Sequence, residues 1–244
     1  MSEVAHLPPD TSPVRHGALS GVIDIGKTRC KLLVLSDAGE VVYQRQADSR
    51  SHWAPEGYLA LDVDGIEAWL RQGLADLGPL RRRLRRLIAT THGATFAALD
   101  GNTRVLPVAD YEFEGFDHGR AHDLAGIGDE GFPATLSPLL ARGLNLGTQL
   151  DWIARQAPDA LDRASCLLPY PQYWAWWLTG VRASEVSSLG CHTLLWRPTE
   201  NAFSALARAR GWDRKFAPMR RAWDVLGTIK PELATYSPWL QVSI

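Results

Sequence analysis

Asp24-Ile25-Gly26-Lys27-Thr28-Arg29-Cys30-Lys31 lies between two apolar runs, Gly21-Val22-Ile23 before it and Leu32-Leu33-Val34-Leu35 after it. Asp37-Ala38-Gly39 follows as a second turn, and Val41-Val42 opens a third apolar segment. The spacing predicts strand, tight glycine turn, strand, turn, strand: a β-meander with an acid at its first corner. Such a corner suits phosphate. Gly26 lets backbone N–H groups close on an anion, Thr28 adds a hydroxyl and Lys31 a positive charge, and Asp24 can hold a magnesium ion through water. No helix follows the turn, so it is not the GxxxxGK[ST] loop. The competing reading is an ordinary edge-strand turn with a solvent-facing acid, because a D-x-G-x-T pattern is short.

Around this corner the composition bounds the class. The 244 residues suffice for one large domain or two small ones. Hydrophobic residues make up 45% and charged residues 22%, the balance of a soluble globular protein. A formal net charge of -1 argues against nucleic acid or a membrane surface as partner. Cys30, Cys166 and Cys191 are scattered and lack CxxC spacing, which points to reduced thiols, a cytoplasmic location and no zinc site. Met1 to Arg15 is polar and contains proline, unlike a secretory signal, and no apolar stretch is long enough to span a bilayer. Residues 1–17 are expected to form a flexible tail.

After the meander, Asp48 to Gly57 reads as a loop. Asp64 and Glu67 have capping-box spacing for a helix with Ile66, Trp69, Leu70, Leu74 and Leu77 on one face, ended by Gly78-Pro79. Leu87-Ile88-Ala89-Thr90-Thr91 predicts a buried strand running into His92-Gly93, and Phe96 to Leu99 another before the turn Asp100-Gly101-Asn102. Tyr111 to Pro138 is irregular, with weak helical signals at Ala121 to Ala125. Leu146, Leu150, Ile153 and Ala154 mark an amphipathic helix stopped near Pro158. Tyr173, Trp174, Trp177 and Leu178 mark a helix within Pro169 to Gly180. A third helix is expected from Glu200 to Arg210, with Phe203, Leu206 and Ala207 inward and Gly211 as terminator. Strands early and helices late predict a mixed α and β fold.

Thr90-Thr91-His92-Gly93-Ala94 carries the second chemical signal. His92 is either a strand-closing residue satisfied by a carbonyl or a neutral imidazole that bonds a sugar hydroxyl. The ordered set DIGKTRCK, TTHGATFAALDGN, LPVADYE, LPYPQYWAWWLTG and SEVSSLGCHTLLW resembles the N-terminal domain of the FGGY carbohydrate kinases, over roughly residues 19 to 234. PYPQYWAWWLTG is the more specific element. The resemblance places the chain in the superfamily of sugar kinases, heat-shock ATPases and actin. It implies an α/β, ribonuclease-H-like (actin-like ATPase) domain over residues 18–234, a mixed β-sheet flanked by helices.

The activity implied is ATP-dependent transfer of a phosphoryl group to a hydroxyl of a ketose, deoxy-ketose or polyol, with ATP and Mg2+ as cofactors. Carried over by position, Asp24 sits near the metal, and Gly26, Lys27, Thr28 and Lys31 near the phosphates. His92, Gly93, Asp110, Tyr111, Glu112, Gln172 and Tyr173 lie against the sugar. Lys27 stands where many members have a second threonine, and its cation either meets phosphate or is solvated. Ser187 to His192 replaces the commoner Ser-Gly-Thr pattern, and His192 either reaches the sugar or is structural. Arg81 to Arg86 reads as a solvated basic face, and Trp174, Trp176 and Trp177 as core in preference to a carbohydrate-stacking surface.

In the family the general base is an aspartate opening the second, ATP-binding half. Here Thr235 to Ile244 does not resemble the expected continuation, so residues 235–244 are expected to be an atypical tail, produced by a truncation or a frameshift. The expectation is a sugar-binding half, inactive alone, whose exposed face permits self-association. The alternative is a non-catalytic sugar- or nucleotide-sensing module. An actin-like assembly protein fits poorly.

Overall fold

Alternation along the early strands builds the sheet. The computed structural model describes residues 4–6, 17–117, 131–233 and 240–244. Strand β1 (Val4–His6) pairs with the far side of the predicted meander, which comprises β2 (Leu19–Ile25), β3 (Arg29–Ser36) and β4 (Val41–Asp48). Leu19, Ile23, Ile25, Cys30, Leu32 and Val34 are buried while their neighbours in sequence are half-exposed, the period of two that a sheet with one covered face requires. Beyond β2 the strand Leu84–Thr91 runs parallel to it, then Gln241–Ser243 runs parallel again, and Val225–Thr228 closes the seven-stranded sheet antiparallel.

Helix α1 (Val63–Asp76) and the helix Tyr170–Thr179 cover that buried face. Leu70, Leu74, Trp174, Trp177 and Leu178 meet Ile23, Leu32, Val34 and Leu87 in one core, and each such side chain stabilises the fold by about 1.5–3 kcal/mol on burial. Trp174, Trp176 and Trp177 are thus core, as predicted. The Tyr170–Thr179 helix ends on Gly180 in the left-handed region (φ 79), where a glycine carries no Cβ penalty. A second core lies under the Leu146–Gln156 helix. There Phe96, Ala98, Leu150, Ile153, Trp196 and Trp212 pack beneath the ladder of Cys166–Pro169 on Phe96–Asp100.

Several elements differ from their sequence expectations. The cap of α1 is Asp62, which accepts from the Gly65 N–H at 3.0 Å, so Asp64 falls in the first turn, where its charge suits the helix dipole. Pro158 opens a new helix, Pro158–Arg163, because its missing N–H costs nothing at the first position. The expected 200–210 helix is shorter, Ala205–Ala209, since Ser204 caps it and Ala202–Phe203 pairs with Trp196–Arg197. The signals at Ala121 to Ala125 lie outside the described residues. Within the stretch expected to be a loose tail, Val4–His6 is a strand on β4; the rest of residues 1–16 lies outside the description. Of residues 235–244, only 240–244 are described. They join the sheet because Leu240, Val242 and Ile244 alternate inward. Among the described residues no helix is long and apolar enough to cross a membrane.

Candidate functional site

Register assembles the site. Asp24 pairs with Thr90 and Ile25 with Thr91 on parallel strands, so the chain leaves both strands at adjacent points, through Gly26 on one and His92 on the other. The Gly26 N–H donates to the Arg29 carbonyl at 3.0 Å, closing the hairpin, and a Cβ on Gly26 would stand 2.9 Å from that oxygen. Glycine is required here by close backbone approach. Among the described residues the Lys27 and Thr28 N–H groups carry no hydrogen bond, so they and the exposed Thr28 hydroxyl are the donors this corner offers an anion. Ser49 braces the turn: its hydroxyl donates to the Gly26 carbonyl at 2.8 Å and its N–H to the Thr28 carbonyl. Asp24 faces Lys31 across the hairpin, carboxylate to ammonium 3.8 Å, both partly exposed. Among the described residues no group of three or more His, Cys, Asp or Glu side chains gathers as a metal cluster.

The side chain of Lys27, unlike its N–H, is engaged by two carboxylates. Its ammonium donates to Asp110 Oδ2 at 2.7 Å and lies 3.5 Å from Glu112. Burial lowers its pKa, but the Asp110 hydrogen bond and the Asp110 and Glu112 charges outweigh that and raise it above the ordinary lysine value. Asp110 is 0% exposed; Oδ2 also accepts from the Ser51 hydroxyl at 2.7 Å and Oδ1 from the Glu112 N–H at 3.0 Å. The Lys27 ammonium is thus taken up by carboxylates, and Asp110 is buried with three hydrogen-bond partners. Together they bolt the turn to the segment carrying Tyr111 and Glu112.

His92 is wedged between two rings, Tyr111 at 5.0 Å and Tyr170 at 5.2 Å between centroids. Burial pushes its pKa down to about 4, against a partial pull upward from Asp110, so the imidazole is neutral at pH 7. Among the described residues its buried Nδ1 has no partner. Nothing lies within 4 Å of a Cβ built on Gly93, which leaves open space beside the ring.

Two buried amides, missed in the sequence, hold the surrounding loops. Gln149 donates to the carbonyls of Ala94 and Gly143 and accepts from the Thr95 hydroxyl at 3.1 Å. The Gly143 N–H in turn donates to the Tyr111 carbonyl at 2.9 Å. Asn145 accepts from the Leu140 N–H at 2.7 Å and donates to the carbonyls of Pro138 and His192. His192 Nδ1 lies 2.8 Å from the Leu144 carbonyl, the structural one of its two readings. Leu136, Arg142, His192 and Leu194 all hold positive φ in these loops, strain that the polar network sustains. The signal was present: Gln149 is a polar residue on the same helix face as Leu146, Leu150 and Ile153.

Tyr173 directs its hydroxyl to Glu67 and Arg104, donating to the first and accepting from the second at 2.9 Å, on the side facing α1. Gln172 is buried, and among the described residues its Oε1 has no partner. Tyr170, one helical step earlier, is the residue of this helix that contacts His92.

The sequence matches the FGGY family of carbohydrate kinases, N-terminal domain, over residues 19–241. The fold superposes on a carbohydrate kinase from Novosphingobium aromaticivorans with a TM-score of 0.85 and 36% identity, covering 93% of this chain and 48% of that one. A ligand-bound xylulose kinase from Lactobacillus acidophilus gives 0.76 at 12% identity, covering 92% and 47%. A glycerol kinase from Plasmodium falciparum gives 0.75 at 11%, covering 93% and 48%. The latter two speak for the fold alone. The chain spans about half the length of these solved structures. No curated protein matches it.

Proposed function

The chain belongs to the FGGY family of carbohydrate kinases, in the part corresponding to the N-terminal domain, and on that premise we propose that it forms the sugar-facing half of an ATP-dependent carbohydrate kinase acting on a ketose, deoxy-ketose or polyol. The observation that carries this reading is the juxtaposition of the Gly26 turn with His92-Gly93 at the ends of adjacent parallel strands. An anion-binding corner beside a neutral imidazole and open space is what a phosphoryl acceptor site needs.

In this reading the Lys27 and Thr28 N–H groups and the Thr28 hydroxyl receive phosphate oxygens, and Lys31 adds charge. A single carboxylate such as Asp24 fits Mg2+, which keeps several waters and takes one or two protein oxygens. Bound ATP and Mg2+ supply the phosphoryl group and neutralise its charge. His92 and Tyr111 orient the sugar. Asp110 holds Lys27, and through it the turn, in register with Tyr111 and Glu112.

A second reading, recognition without catalysis by this chain, is favoured by one observation. Asp110, the carboxylate buried beside the turn, is engaged by Lys27, Ser51 and the Glu112 N–H and offers no exposed face to a substrate hydroxyl. Calorimetric titration of the chain with a panel of ketoses and polyols tests the sugar-facing role. Binding of at least one is expected, weakened about five- to tenfold by His92→Ala, the value of one hydrogen bond. A panel with no binder, or a binder indifferent to His92→Ala, would refute it. Measurable ATP-dependent phosphorylation by this chain would eliminate the recognition-only reading.

A further inference from the structure

Away from His92, a cavity of about 500 Å³ opens between α1, the Tyr170–Thr179 helix and the turn at Asn102-Thr103. Its wall is aromatic and its rim is cationic. Arg71 lies over the Trp177 ring at 5.1 Å and Lys230 over the Trp176 ring at 5.4 Å. The third cation, Arg104, is consumed: it donates to Asp64, Glu67 and the Tyr173 hydroxyl.

Arg71 and Lys230 are different. Among the described residues each has a carboxylate only at 4.0 Å, Glu67 for Arg71 and Glu232 for Lys230, and neither side chain makes a hydrogen bond. Glu67 Oε1 is already committed to Tyr173 and Arg104. Two cations thus line one cavity with their donors unspent, which leaves room for an anion that can accept from both. Asn102 and Thr103 on the same rim add an amide and a hydroxyl. Those groups match alcohol functions attached to that anion.

We propose that this cavity is a second ligand site, separate from the one beside His92, and that it takes a small phosphorylated polyol or sugar phosphate. Its phosphate sits between Arg71 and Lys230, and its carbon skeleton lies along Trp176 and Trp177. The proposal does not depend on the kinase reading of the His92 site, because it predicts binding and no reaction.

The test titrates the 244-residue chain with glycerol 3-phosphate, inorganic phosphate and glycerol, read by tryptophan fluorescence and calorimetry. Glycerol 3-phosphate should saturate the signal and bind more tightly than inorganic phosphate, with glycerol silent. Arg71→Met with Lys230→Met, which keeps the stems on the indoles, should weaken it at least about tenfold. His92→Ala should leave it unchanged. Circular dichroism confirms that the variants are folded, and the single Arg71→Met should still show a several-fold loss if the double variant is not. No saturation by about 10 mM, equal binding of glycerol and its phosphate, or affinity unmoved by removing Arg71 would each overturn the proposal. Phosphate binding as well as glycerol 3-phosphate would overturn the assignment of Asn102 and Thr103 to the alcohol groups.

Discussion

Lys27→Met is the most incisive perturbation of the turn. It removes the cation from a carboxylate that is 0% exposed and leaves Asp110, among the described residues, with the Ser51 hydroxyl and the Glu112 N–H. Stripping one partner from a fully buried ion pair costs about 3–5 kcal/mol. The Lys27 side chain is 23% exposed, so some water can replace it, and the expected loss is about 2–3 kcal/mol. Asp110→Asn should cost less, about 1–2 kcal/mol, because Lys27 keeps Glu112 at 3.5 Å and partial access to solvent. The double variant should be more stable than the sum of the two losses by about 1–2 kcal/mol, since neither lone charge is then stranded. Urea unfolding followed by tryptophan fluorescence, with m unchanged across the set, measures all three. If the two single losses add to within about 0.5 kcal/mol, the ion pair is not the coupling element and the bolted turn is wrong.

Three further outcomes follow from neighbouring groups. His92 has a folded pKa of about 4 against an ordinary 6.5, so its stabilising contribution is complete above pH 6.5 and is lost as pH falls towards 4, by up to about 3 kcal/mol. The urea midpoint of His92→Asn should therefore fall less steeply between pH 7 and 4.5 than that of the parent, and parallel curves would contradict the assignment. Of the three cysteines only Cys191 is exposed, while burial pushes the Cys30 thiol up to about 11; a thiol reagent should label one site rapidly, and two fast sites would count against the packing. Tyr173→Phe should cost about 1–2 kcal/mol of stability through Glu67 and Arg104, yet leave sugar affinity unchanged; a weakened sugar titration would return Tyr173 to the substrate site.

How much of this was readable beforehand depends on distance along the chain. The meander was legible because its information is local: alternation in β2 and β3 and glycine at the corners. Leu87 to Thr91 was legible as an apolar run, but its parallel pairing with β2, which brings His92 beside the turn, is a long-range contact that no local pattern encodes. The Lys27–Asp110 pair was not legible either, since 83 positions separate its members and no periodicity links a turn to a remote loop. On the Tyr170–Thr179 helix almost every residue is buried, so the pattern could not say which tyrosine faces His92 and which faces α1. The capping-box spacing marks Asp64 as the helix start, whereas the cap is Asp62, two positions earlier, because its carboxylate reaches the Gly65 N–H. The strand Gln241–Ser243 was not legible in the sequence, because three residues are too short for alternation to mark a strand without its distant partner.

The pairing of Gln241–Ser243 with Leu84–Thr91 joins segments more than half the chain apart, whereas β2, β3 and β4 are joined by short turns. Closing so large a loop costs entropy before any contact repays it. The hairpins can therefore form early, as a platform on which α1 condenses, while the Gln241–Ser243 strand arrives late between two waiting neighbours. Until it does, the edge of Leu84–Thr91 presents unpaired backbone to other molecules. The interval before that strand docks is when this protein is most vulnerable to joining its neighbours through the wrong edge.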